Sequence, residues 1–191
     1  MSSLIRSFIA LELSAEVKKA LADLQEKLRE HIPRARWTRP EGTHLTLKFL
    51  GEIEREKTEE VAAALDQITA QQSPFELKLD GVGAFPRLAF PRVIWVGLQH
   101  NDKLPLLQKA IETALEPLGF ETEKRSFHGH LTLARLEGER WSEELRRYFL
   151  ELSPISDGKS IPVKSVILFR SELKPGGAIY SALHRSPLIG S

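Results

Sequence analysis

The chain has 191 residues, 41% of them hydrophobic and 28% charged, with a net charge of +1 and no cysteine. That is enough apolar material for one sizeable core, or for two lobes packed closely together. The charge balance excludes a strongly basic nucleic-acid arm, and the missing cysteines exclude disulfides and thiolate metal sites, which fits a reducing cytoplasm.

The predicted elements begin with a strand over residues 5–13. Its apolar run is broken by Arg6 and Ser7 and stopped by Glu12, so neither a signal-peptide core nor a membrane span is expected. A helix capped at Ser14 follows, with Val17, Leu21, Leu24 and Leu28 at helical spacing and Pro33 marking the region where it must have ended. A loop carrying Trp37 and Pro40 leads into a strand over 44–50 that Gly51 is expected to close. The next helix shows Val61, Leu65 and Ile68 on one face.

Phe75, Leu77 and Leu79 alternate with Glu76, Lys78 and Asp80, the period of a half-buried strand. Residues 81–91 read as a turn-rich loop, and 93–98 as an apolar strand. A helix over about 103–116 is ended by Pro117 and Gly119. A strand over 127–136, a short helix from Ser142, and closing strands over 163–169 and 179–183 complete the chain, the last two joined by a turn over 174–177. Strands and helices mix without strict alternation. This favours an α+β fold, bilobal, with mainly antiparallel sheets lining a central cleft and helices outside, as a single domain over 1–191.

Within that frame the tetrapeptide His-Leu-Thr-Leu occurs twice, at 44–47 and 130–133. An accidental match of this kind is expected on the order of a few times in a thousand, so an internal duplication of a fold half is the better reading. In a strand, His44 and Thr46 share one face while Leu45 and Leu47 share the other, and likewise His130 and Thr132 against Leu131 and Leu133. Two lobes related by a pseudo-two-fold axis would bring both imidazoles and both hydroxyls to one cleft. One histidine can then act as base and the other as acid.

Other chemistries fit less well. Two histidines are short of the three protein ligands a catalytic zinc usually takes, although His128 could supply a third. Thr46 or Thr132 as nucleophile lacks an adjacent base held by a carboxylate. Phosphoryl chemistry with water remains, helped by a cation, with Arg135 first in line and Lys48 second. Strict alternation puts Lys48 on the His44 face but puts Arg135 on the leucine face, unless the strand bulges before it. Strict alternation also sends Phe49 toward the core, and Phe85 is expected there too. Trp37, flanked by Arg36 and Arg39, is then the better platform for stacking a base. Arg34, Arg36 and Arg39, and Lys124, Arg125 and Arg135, form two basic clusters that either attract phosphate or simply face solvent.

The paired motifs resemble the twin His-x-Thr-x signature of the 2H phosphoesterases, and more closely that of the RNA 2′,3′-cyclic phosphodiesterases, also called 2′-5′ RNA ligases. The resemblance extends to Arg6-Ser7-Phe8-Ile9-Ala10, to Leu47-Lys48-Phe49-Leu50-Gly51-Glu52, to Phe85-Pro86, to the run from Pro91 to Gly97, and to Tyr180. It departs at Gly129, where the family often has proline. The resemblance implies hydrolysis of a terminal 2′,3′-cyclic phosphate on RNA to a 2′-phosphate without metal or other cofactor, with 2′-5′ ligation as a side activity. It maps His44 to the proton donor, His130 to the base, and Thr46 and Thr132 to phosphate positioning, while the pseudo-symmetry leaves the two histidine roles interchangeable. The expected partner is RNA with a cyclic phosphate end, met by a cytoplasmic monomer with no membrane attachment. A binding module for RNA ends or nucleotides, and an enzyme for a small cyclic phosphate, are the alternatives.

Overall fold

The structure, a computed structural model, describes residues 4–152, 159–175 and 177–190. Strand β1 (Leu4–Glu12) leads into helix α1 (Ala15–Arg29), and a two-residue strand β2 (Arg36–Trp37) precedes the long strand β3 (His44–Glu54). Helix α2 (Arg55–Thr69), the hairpin β4 (Phe75–Arg87) and β5 (Phe90–Leu98), and helix α3 (Lys103–Leu115) follow. The chain ends with β6 (Leu131–Arg135), α4 (Glu143–Glu151), β7 (Ser160–Val163), β8 (Ser165–Lys174) and β9 (Gly177–Pro187).

Two antiparallel sheets result. One runs β3-β1-β8-β9 and the other β2-β6-β5-β4-β7. The order is the same in both lobes once β2 is set aside: a motif strand, β3 or β6, sits beside β1 or β5. The architecture is therefore the expected bilobal α+β fold. The chain crosses back between lobes at Lys164, so β8 and β9 complete the sheet that β1 began, while β2 from the first half adds to the second sheet.

Local chemistry explains the helices. Ser14 accepts from the Val17 N–H and Ser142 from the Leu145 N–H, each satisfying a helix-end donor at about 1 kcal/mol. Asn101 does the same for α3, accepting from the Lys103 and Leu104 N–H groups. Val17, Leu21, Leu24 and Leu28 on α1 are buried, as are Leu104, Leu107, Ile111 and Leu115 on α3, so each helix turns one apolar stripe inward. No helix among the described residues is long and apolar enough to cross a membrane.

Four expectations about boundaries are corrected. Residues 81–87 are strand rather than loop, and Gly83 leaves room on the sheet for a neighbouring side chain. A Cβ on Gly83 would lie 2.2 Å from the Trp95 ring, so glycine lets the indole lie flat across β4. Gly51 does not close β3: it adopts a φ of 74° and the strand continues to Glu54. The second motif strand starts only at Leu131, and the expected loop around Trp37 contains β2. Of the turn expected at 174–177, Gly176 lies outside the described residues.

Candidate active site

The two motif strands carry the same irregularity at the same place. On β3, Thr46 pairs with Ala10 and Lys48 with Ile9, leaving Leu47 without a partner. On β6, Thr132 pairs with Trp95 and Ala134 with Ile94, leaving Leu133 without one. Each motif thus ends in a bulge that inserts one residue and shifts the alternation by one from there on. Leu47 and Lys48 are both buried and Phe49 is 70% exposed; Leu133 and Ala134 are both buried and Arg135 is exposed.

Three sequence expectations change sign for that reason. Arg135 returns to the face of Thr132, although it lines neither of the two cavities that the motif histidines line. Phe49 leaves the core and stands on the open face with His44 and Thr46. Lys48 turns inward, where its Nζ pairs with the Glu112 carboxylate of α3 and donates to the Glu121 carbonyl at 2.8 Å. A buried, neutralised ammonium is lost as a substrate cation.

Each bulge is held from the other half of the chain. The side-chain amide of Gln25 on α1 donates to the Leu133 carbonyl at 2.9 Å, and Thr38 adds its N–H and its hydroxyl to the same oxygen, each at 2.9 Å. Gln108 on α3 reaches the Leu47 carbonyl at a longer 3.5 Å and donates to Glu112 at 2.9 Å. Both glutamines are buried. Sequence reasoning misses them because a lone glutamine on a helix carries no signal of its own.

The histidines are locked in the same way. His44 Nδ1 lies 2.8 Å from the Gly42 carbonyl, and His130 Nδ1 lies 2.7 Å from the His128 carbonyl. A carbonyl oxygen only accepts, so Nδ1 carries a proton in both rings, and Nε2 is left as the lone-pair site of the neutral imidazole. Burial pushes both pKa values below 6.5, against the opposing pull of the carbonyl bonds. Lys18 pushes His44 further down, as His128 and Arg135 do for His130.

Aromatic rings set the remaining walls. His44 stacks on Phe8 at 4.4 Å and meets the edge of Tyr180 at 5.0 Å. His130 meets Phe85 edge-on at 5.1 Å, with Trp95 at 6.2 Å. Phe85 therefore faces His130 rather than the core. Phe8, Tyr180 and Trp95 lie outside the motifs; the resemblance includes the segments that carry them, but only the paired strands bring their rings to the histidines.

Thr46 and Phe49 from the first repeat and His128 and His130 from the second line one cavity of about 1550 Å³. His44, two residues before Thr46, opens on a smaller depression of about 410 Å³ with Lys18, Arg39 and Tyr180. Thr132 is half-buried opposite Trp95. Trp37 is not brought to either cavity: it packs against the core, with the Arg29 guanidinium 5.1 Å from its ring. Arg34 and Arg36 pair with Glu139 and Glu137, which neutralises their charge at the surface. Among the described residues no three His, Cys, Asp or Glu side chains cluster as a metal site.

A family model described as LigT-like phosphoesterase matches this chain twice, over residues 11–95 and 96–180. A protein of Methanothermobacter thermautotrophicus named RNA 2′,3′-cyclic phosphodiesterase is 30% identical over 93% of this chain and 95% of its own length. One of the same name from Archaeoglobus fulgidus is 32% identical over 94% and 98%. Among solved structures, TT0787 of Thermus thermophilus superposes with a TM-score of 0.82 at 30% identity, covering 97% of this chain and 99% of that one. Escherichia coli LigT complexed with 3′-AMP superposes with a TM-score of 0.78 at 27% identity, covering 97% and 98%.

Proposed function

Since the chain belongs to the LigT-like phosphoesterase family, we propose that it hydrolyses the 2′,3′-cyclic phosphate at the end of an RNA to a 2′-phosphate, using His44 and His130 as an acid–base pair. The observation that carries this reading is the duplicated lock on the two imidazoles, which leaves an Nε2 in each for proton transfer. The names of the relatives supply the substrate class.

In this mechanism His130 Nε2 takes a proton from water as its oxygen attacks phosphorus. The P–O3′ bond breaks, and His44, protonated at Nε2, delivers its proton to O3′. The products are a 2′-phosphate and a free 3′-hydroxyl. Thr46 and Thr132 donate hydrogen bonds to the phosphate oxygens, and Arg135 offsets the charge that develops on them. Both histidines have lowered pKa values in the free protein, so the phosphate anion itself favours the charged form of one of them on binding. No metal or nucleotide cofactor enters. A 5′-hydroxyl RNA end in place of water would give a 2′-5′ linkage, and the far higher concentration of water keeps this a side reaction.

The test is turnover of an oligoribonucleotide with a 2′,3′-cyclic phosphate end in EDTA, with the product read by 31P NMR. His44→Ala and His130→Ala should each lower kcat by about 10²- to 10⁴-fold. Undiminished turnover in either variant removes the acid–base pair.

A further inference from the structure

The cavity that holds Thr46 and His130 exceeds the roughly 300–1,000 Å³ usual for a small-molecule site. Its outer walls come from two segments away from the motifs. The loop between α3 and β6 contributes Lys124 and Arg125, and the β4–β5 hairpin contributes Arg87, Phe90 and Arg92. Phe90 is 36% exposed, with the Arg87 guanidinium 5.0 Å and the Arg140 guanidinium 5.9 Å from its ring.

Among the described residues none of Arg87, Arg92, Lys124 and Arg125 is in an ion pair, unlike Arg34 and Arg36 of the other basic cluster. The carboxylates on these walls do not cancel them. Glu112 is taken by Lys48, and Glu121 and Glu123 leave two negative charges against the four positive ones. Cations interleaved with exposed aromatic rings around a large cavity are what a single-stranded nucleic acid needs, since phosphates are neutralised and bases stack without regard to sequence.

We propose that these walls form a track for the RNA nucleotides lying 5′ of the cyclic phosphate, with Arg87, Lys124 and Arg125 neutralising backbone phosphates and Phe90 stacking a base. The proposal rests on the phosphodiesterase reading for its direction and goes beyond it in making an oligonucleotide, rather than a cyclic mononucleotide, the preferred substrate. A cyclic mononucleotide carries one phosphate and one base, so it would leave most of these cations and the Phe90 ring unused.

The experiment compares the intact protein with the triple variant Arg87→Gln, Lys124→Gln, Arg125→Gln, which keeps side-chain stems while removing charge. Turnover is measured on a decaribonucleotide with a cyclic phosphate end and on a 2′,3′-cyclic mononucleotide. Anisotropy separately follows binding of a 3′-phosphorylated decamer as KCl is raised. The ratio of kcat/KM for decamer over mononucleotide should fall about tenfold in the variant, and the slope of log affinity against log salt should flatten by about 2, at about 0.7 for each lost contact with a single strand. An unchanged ratio or an unchanged slope overturns the track. If the intact protein turns over neither substrate the phosphodiesterase reading fails, and the salt slope alone then decides whether the track exists.

Discussion

Phe49 and Arg135 occupy the same position in two copies of one bulged strand, each the first exposed residue after a buried pair. The duplication thus gives the site matching histidines and threonines but unlike neighbours, an apolar ring on one strand and a cation on the other.

That difference separates in kinetics. Arg135→Met should lower kcat for the cyclic phosphate about 10²-fold, because the charge it offsets develops mainly in the transition state. Phe49→Ala should raise KM about tenfold and leave kcat nearly as it was, the loss of one stacking contact. Steady-state kinetics on the decamer check both, and equal effects on kcat and KM in the two variants would refute the division.

The histidine pKa values predict a dependence of stability on pH. Both lie below 6.5 in the native protein, chiefly through burial. Between those lowered values and 6.5 the unfolded chain binds more protons than the native one, so stability rises with pH through that window. The contribution is complete above the unfolded value and is lost as pH falls through the native values. Urea midpoints at pH 5 and pH 7.5 should differ more for the intact protein than for the double variant His44→Ala, His130→Ala. In NMR titrations, adding a nucleoside 2′-phosphate should raise one of the two values.

Gln25 is expected to act on the site without touching substrate. Gln25→Leu removes one of three donors from the Leu133 carbonyl and should cost about 1 kcal/mol of stability. Its larger effect should be on kcat, since Arg135 follows the bulge that this bond holds. Denaturant unfolding and kinetics on the same samples would separate the two, and a kcat equal to that of the intact protein would show that the bond only stabilises.

The Lys48–Glu112 pair is buried, so breaking it from one side should be strongly destabilising. Lys48→Met or Glu112→Leu alone should destabilise by about 3–5 kcal/mol through the charge left behind, and the double replacement should recover most of that. A denaturation double-mutant cycle gives the coupling directly; additive losses would mean that the pair is not coupled.

How far the sequence can be read depends on where the strands stay regular. Before the bulges, alternation places Leu45, Leu47, Leu131 and Leu133 inward and His44 and Thr46 outward, as the structure has them. One residue later the same rule misplaces Lys48, Phe49 and Arg135, because a bulge is decided by pairing with the neighbouring strand and leaves no mark in the strand's own periodicity. Aligning the two copies helps, since it puts Phe49 and Arg135 in register and forces them to share a fate. Trp37 is misplaced for a related reason: a two-residue strand is too short for any period, and only its pairing with Ala134 shows where the ring is held. The caps at Ser14 and Ser142 and the α3 end at Gly119 are legible because each rests on local chemistry.

The crossing of the chain at Lys164 gives the two halves a mutual dependence. Cut between the repeats, the first half would keep its histidine motif but lose two strands of that motif's sheet and the glutamine that braces it. The second half would likewise lose β4, β2 and the part of β5 up to Trp95, and with them most of the partners of its own motif strand. Fragments made this way should regain activity only when mixed, by complementation. A molecule that began as two copies has become one in which neither copy carries a complete workshop.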